Sequence, residues 1–390
     1  MRTDPLHSHT EAGPGQPKPP HFGRTVLDDL HQADLPRTLR EDFRAIYDFY
    51  LDPETRRELS QMDQGQRWFH LTGWVLKSSV LKLSPNRRLM LLAAALFLVL
   101  GIIGYPPGLW IAILVLLLIL MLELKDKLLA QDELEAGRAV QFALLPSNHP
   151  RLPGWETWLF TRPANEVGGD LVDYLPLDDR RLGLAVGDVA GKGLGAALVM
   201  AKLQATLRAL APDQQALDGL GRRVNEIFCR DGLPNRFVSL AYLVLEAGSG
   251  HVRMLNAGHL PPLIVRRTAL EEPAKGGAAI GLHGTACYTE QAMDLAPGDL
   301  LVVYSDGLTE ARNEGGAFFG DERLRLMLPH LRDLPVAEAG RLLLAEVERF
   351  VGEARPHDDL SLLLLKRVES DPAPLPVNGT VRLASPHRAP

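Results

Sequence analysis

Residues 89–104 and 109–122 are almost purely apolar, and only Tyr105-Pro106-Pro107-Gly108 separates them. A surface that is hydrophobic all round needs apolar neighbours or lipid, and no adjacent segment here is apolar enough to cover it. In hydrocarbon the backbone must satisfy itself, so two helices joined at the proline-glycine turn are expected. Each arm is about 15 to 17 residues, short of the roughly 20 that cross a bilayer comfortably and near the lower limit of about 17. Lys82, Arg87 and Arg88 precede the first arm, Lys125 and Lys127 follow the second, and the turn is uncharged. Positive-inside bias then makes 88–124 a transmembrane hairpin of a multi-pass membrane protein, with both flanks, and any catalytic domain beyond, cytoplasmic.

At 390 residues the chain is long for a single core, and its composition narrows the functions open to the other units. Lys plus Arg number 42 against 48 Asp plus Glu, a net charge of -6 without any dense basic run, so nucleic-acid binding lacks an electrostatic basis. Cys229 and Cys287 have no Cys or His at ligand spacing and make no disulfide framework, which fits a reducing compartment. Residues 1–22 are expected to be a disordered N-terminus rather than a secretory signal, because no basic stretch precedes an apolar core. A small helical region is expected over 23–87, with helical spacing at 39–50 and 53–62. A linker helix is expected over 125–145, ending before Pro146, and a disordered tail over 369–390. Between them, 146–368 reads as an α+β domain. Strand-like runs at 157–161, 182–186, 238–245, 252–255, 263–265, 300–304 and 360–365 alternate with helical patterns at 194–210, 217–229 and 336–351.

The chemistry is written in acids at strand edges. Gly168-Gly169-Asp170 precedes one short strand, Gly187-Asp188 ends another, Ser305-Asp306-Gly307 ends 300–304, and His357-Asp358-Asp359 opens 360–365. One such Asp beside Gly is ordinarily a turn residue. Four at the ends of apolar strands suggest convergence, and converging carboxylates need a cation. Oxygen donors without Cys or His point to a hard ion, Mg²⁺ or Mn²⁺.

These segments, together with Gly191-Lys192-Gly193, Asn256-Ala257-Gly258-His259 and Thr309-Glu310, resemble the ordered motifs of the SpoIIE/RsbU-type branch of the metal-dependent (PPM) serine/threonine protein phosphatases. The resemblance runs through about 220 residues and implies an αββα sandwich with two metal ions at one edge. It also implies hydrolysis of phosphoserine or phosphothreonine by a water that the ions activate, without a protein nucleophile. Carried over to this chain, it implies that Asp188 bridges both metals with the Val189 carbonyl beside it, that Asp306 and Asp358 complete one site, and that Asp170 serves the other. Asp359 is the weaker of the adjacent pair, since neighbouring strand residues face opposite ways. The arginine with which many relatives hold phosphate has no counterpart in a motif; Arg162 is nearby in sequence. The implied substrate is a phosphorylated regulatory protein of the anti-sigma-factor-antagonist kind, and the linker helix, lying between membrane and catalyst, suggests regulation through a homodimer.

Three rivals are open to test. Gly191-Lys192-Gly193-Leu194-Gly195-Ala196 has the spacing of a dinucleotide-binding loop, but the helix that follows leads to another helix rather than to a strand. A nucleotide cyclase would also use paired Asp and metals, yet no nucleotide-selecting pocket is legible. A catalytically silent membrane-bound interaction module with the same fold would be marked by lost acids, and Asp170, Asp188, Asp306 and Asp358 are all present. His259 is a candidate general acid, to be tested by its substitution.

Overall fold

The computed structural model describes residues 64–146, 149–231 and 236–369. The expected disordered N-terminus at 1–22, the helical spacings at 39–50 and 53–62, and the expected disordered tail at 369–390, apart from Glu369, lie outside them. The chain divides after Lys125 into two compact units.

The first unit holds α1 (Gln64–Lys82), α2 (Pro85–Ile103) and the start of α3 (Pro107–Leu144). The second arm and the expected linker helix are therefore one continuous helix. Gly104, at φ 124°, caps α2 in a conformation that favours glycine, and α2 and α3 meet closely beyond it. A Cβ on Gly108 would lie 2.6 Å from the Phe97 carbonyl oxygen and 2.9 Å from the Gly101 nitrogen. At the opposite end Arg87 Nη1 pairs with Glu123 Oε1 at 2.7 Å. Outside this contact the apolar side chains are bare: Leu92, Ile102, Trp110 and Leu114 are all exposed.

The second unit is a four-layer αββα sandwich. One sheet has the order β1 (Trp155–Arg162), β10 (Leu360–Arg367), β9 (Leu300–Tyr304), β6 (Leu263–Val265), β7 (Leu270–Glu271). The other runs β2 (Leu171–Pro176), β3 (Arg181–Val189), β4 (Val238–Glu246), β5 (His251–Ala257), β8 (Glu290–Asp294), and all pairings in both sheets are antiparallel. Period-two alternation sorts the side chains into three cores. Leu182, Leu184 and Val186 of β3 meet Leu301, Val303, Leu363 and Leu365 between the sheets. Ala185 and Val189 face outward, under α4 (Leu194–Leu210) and α5 (Leu217–Asp231). Leu362 and Leu364 face the opposite way, under α7 (Asp321–Leu331) and α8 (Val336–Val351). Strand β10 is buried on both faces, which is why its sequence is an unbroken apolar run. A one-turn helix, α6 (Asp306–Thr309), follows β9.

The expected strands and helices of this unit are present, extended by one to three residues at several ends. Helices α4 and α5 follow one another with no intervening strand, so the dinucleotide topology is absent. Gly191 (φ 111°) and Gly193 (φ 74°) instead serve the turn that leads from β3 into α4.

Candidate functional site

Each sheet delivers acids to the same end of the sandwich. Asp170 stands before β2 and Asp188 lies in β3, opposite Ser239 of β4, while Asp306 opens α6 after β9 and Asp358 and Asp359 precede β10. The antiparallel pairing of β9 with β10 puts α6 against the Asp358-Asp359 turn: Ser305 N donates to Ser361 O at 3.0 Å, and Ser305 Oγ donates to Asp359 O at 3.2 Å. Asp188 and Asp306 line a cleft of about 420 Å³, together with Ser239, His259 and the Lys275-Gly276-Gly277 segment.

The electrostatics agree that the acids crowd one another. Burial raises the Asp170 carboxyl well above the usual range, and Asp188 beside it adds to the rise. Burial, with Asp306, Asp358 and Asp359 nearby, pushes Asp188 up to about 6. Asp306 is raised by burial and then by Asp358. Asp170 Oδ2 is buried and has no hydrogen-bond partner. A buried acceptor left without a donor, among carboxylates that repel, is the environment a hard cation satisfies. Among the described residues no three Asp, Glu, His or Cys side chains already stand in a ligand cluster. Lys192 Nζ lies 3.0 Å from Asp358 Oδ2 and also donates to the His357 carbonyl at 2.7 Å.

Asp359 is engaged otherwise than as an open ligand. Its Oδ1 accepts from Ala164 N at 2.8 Å and its Oδ2 from Gly169 N at 2.6 Å, so it pins the loop that presents Asp170. Val189 is buried in β3, and its carbonyl oxygen would be 3.2 Å from a Cβ on Gly169, facing the same loop. Asp173, in the same motif, turns away and forms a two-point pair with Arg208 of α4, both bonds 2.8 Å. Arg162 is taken by Glu348 at 2.6 Å and does not line the cleft.

Sequence reasoning missed Gln141. Near the end of α3, its Nε2 donates to Gly168 O at 2.7 Å and its Oε1 accepts from Gly168 N at 3.1 Å, a two-point clasp on the Asp170 loop. Gln204 Nε2 of α4 holds the Leu144 carbonyl at 2.8 Å. A glutamine in a charged helix carries no signal of this; only the backbone it meets reveals it.

His259 is buried, with Nδ1 2.9 Å from Ser239 Oγ, and burial lowers its pKa to about 4. It is neutral at pH 7 and has no proton to give as an imidazolium. Because the folded value lies below the ordinary 6.5, the stability linked to it is complete above 6.5 and is lost as pH falls toward about 4. A His259→Gln variant is expected to keep the turnover pH profile near neutrality and to lose part of the acid-denaturation limb. Thermal melts and rates across pH check both.

Residues 178–368 match the family model described as Stage II sporulation protein E (SpoIIE). That stretch holds Asp188, Asp306, Asp358 and Asp359, whereas Asp170 lies just before it. Protein IcfG of Synechocystis sp. (strain ATCC 27184 / PCC 6803 / Kazusa) is 30% identical over 220 residues, 49% of this chain and 35% of that protein. The chain thus spans about a third of that relative's length. The phosphoserine phosphatase RsbU of Bacillus subtilis (strain 168) is 24% identical over 242 residues, covering 61% of this chain and 70% of that one. In fold, the SiaA-PP2C domain of Pseudomonas aeruginosa superposes with a TM-score of 0.54 at 21% identity, over 62% of this chain and 98% of that one. With the order of the motifs, the paired sheets and the acids at their common edge all in agreement, this chain carries a SpoIIE-family domain across residues 178–368.

Proposed function

We propose that this chain is a membrane-anchored, metal-dependent phosphatase that hydrolyses phosphoserine or phosphothreonine on a regulatory protein. The observation that carries the reading is the mutual crowding of Asp170, Asp188, Asp306 and Asp358, from four separate segments of two facing sheets, with Asp188 and Asp306 lining one open cleft. Those carboxylates and the Val189 carbonyl would hold two Mn²⁺ or Mg²⁺ ions. When bound, such ions acidify a water molecule and screen phosphoryl charge. The chain's own residues position what reacts: Asp359 and Gln141 fix the Asp170 loop from two sides, and Ser305 ties the Asp306 turn to β10. Ser305 faces the backbone, and the proposed nucleophile is water rather than a protein side chain.

The anchor rests on α2 and α3, whose most apolar windows have mean hydropathies of 1.8 and 2.5 and are 6% and 17% buried. By length and composition the segment 194–213 would also qualify, at 44% buried. Its inner face, from Ala196 to Leu207, is packed into the sandwich core, which favours a two-helix hairpin, and the basic flanks of that hairpin favour a cytoplasmic catalytic domain. The partner we infer is a phosphorylated regulatory protein, an anti-sigma-factor antagonist among the candidates, in keeping with the phosphoserine phosphatase RsbU among the relatives, and the continuous helix α3 is suited to a homodimeric arrangement.

The detergent-solubilised chain is expected to hydrolyse p-nitrophenyl phosphate and a phosphoserine peptide with Mn²⁺ or Mg²⁺, and to stop on addition of chelator. Metal binding with no hydrolysis of either substrate would favour the silent interaction module instead.

A further inference from the structure

The cleft contains a cation that the acid constellation does not use. Lys275 is the only Lys or Arg among the residues lining it, facing the same space as Asp188 and Asp306. Among the described residues it makes no ion pair and no side-chain hydrogen bond. The other basic groups near the acids are committed: Lys192 to Asp358 and the His357 carbonyl, Arg162 to Glu348, and Arg236 to the Ala190 carbonyl.

A lysine on a loose loop is ordinarily a solvated group, but the main chain here is fixed on both sides of Lys275. Gln291 Nε2 donates to Ala274 O at 2.9 Å, and Gly277 N donates to Asn256 O at 2.9 Å within a bridge between Ala257 and Gly277. Gly276 rests so close to Asn256 that a Cβ would overlap its main chain, 2.5 Å from the carbonyl carbon. Asn256 in turn accepts the His259 N–H at 2.9 Å on its Oδ1. The two glycines let the loop lie flat against β5, and the flexible Lys275 stem is left as the part free to follow a ligand.

We propose that Lys275 is a substrate-binding residue whose ammonium takes a non-bridging oxygen of the phosphoryl group. The ligand is a phosphate monoester dianion, or the inorganic phosphate left after hydrolysis. This deepens the phosphatase reading and rests on it. Two divalent ions would offset the four carboxylates and leave the dianion's own charge unmatched, and a movable point charge on the open side supplies that match without competing for the metal ligands.

The test compares wild type, Lys275→Ala and Lys275→Arg, each as the full chain in detergent with Mn²⁺. Calorimetry measures inorganic phosphate affinity, and steady-state kinetics measure p-nitrophenyl phosphate and a phosphoserine peptide. In Lys275→Ala, phosphate affinity is expected to fall about 10-fold, KM to rise by a similar factor for both substrates, and kcat to change much less; Lys275→Arg recovers most of the loss. Unchanged phosphate affinity overturns the proposal, as does a KM rise confined to the peptide, which would instead mark contact with acidic flanking residues. If the wild type hydrolyses neither substrate, the phosphatase reading falls, while the phosphate titration still decides the role of Lys275.

Discussion

An Asp188→Asn chain is expected to lose metal-dependent hydrolysis by about 10³-fold or more and, without divalent metal, to be more stable than the wild type. Both effects come from one carboxylate. Asp188 lies opposite Ser239 at the centre of the acid group, and burial together with Asp306, Asp358 and Asp359 pushes its pKa from 3.8 to about 6. Charge stabilisation by bound cations is worth several kcal/mol, and each ~1.4 kcal/mol is tenfold in rate, so removing a central ligand forfeits three decades or more. The stability effect has the opposite sign. A carboxyl whose folded value is raised is penalised when ionised, so the wild type without metal carries the full penalty above about pH 6 and none below about 3.8. Asparagine is neutral and of similar shape, and it relieves about 2 to 3 kcal/mol at pH 8 and almost nothing at pH 4. Rates with Mn²⁺, and melts in chelator at the two pH values, check both halves. A purely structural Asp188 would show lost stability with no pH dependence of the difference.

The contrast between what was readable and what was not has physical reasons. Strands β3, β9 and β10 are buried on both faces, so their apolar runs stand out in the sequence, and α8 shows its helical period clearly. Edge strand β8, Glu-Gln-Ala-Met-Asp, is half-exposed and polar, and helix α7 contains Pro329; neither carries a pattern strong enough to declare itself. The acids were visible because Asp beside Gly at a strand end is conspicuous, yet their division of labour was not. Asp358 and Asp359 are neighbours of equal chemistry, and only the amides of Ala164 and Gly169 show that Asp359 holds a loop. Asp173 resembles Asp170 in the sequence, but three residues further on its environment is Arg208 rather than the other acids. Gln141 and Lys275 belong to contacts between distant segments, information that local spacing does not hold.

Gly307→Ala is expected to be nearly as damaging as loss of an acid, although it removes no chemical group. Gly307 is the second residue of α6, buried directly after Asp306, and a Cβ there would overlap the Asp359 carbonyl oxygen and lie 2.7 Å from its carbon and 3.3 Å from that of Asp358. The obstacle is main chain, so no rotamer change relieves it. It is also main chain already committed: the same carbonyl accepts from Ser305 Oγ, whose oxygen in turn accepts from Ser361 N at 2.9 Å. Either α6 backs away from the Asp358-Asp359 turn or the start of β10 moves, and each separates Asp306 from Asp358. Overpacking a tight contact costs about 1 to 3 kcal/mol, and more where backbone must shift, so a stability loss of about 3 kcal/mol is expected. The activity loss should exceed what instability explains: with Mn²⁺ at a temperature where the variant is fully folded, kcat should remain down by about 10²-fold, since a displacement near 1 Å can cost that much. Retained activity in a folded Gly307→Ala chain would mean that the spacing between these two turns does not set the chemistry, and that Asp306 and Asp358 act independently.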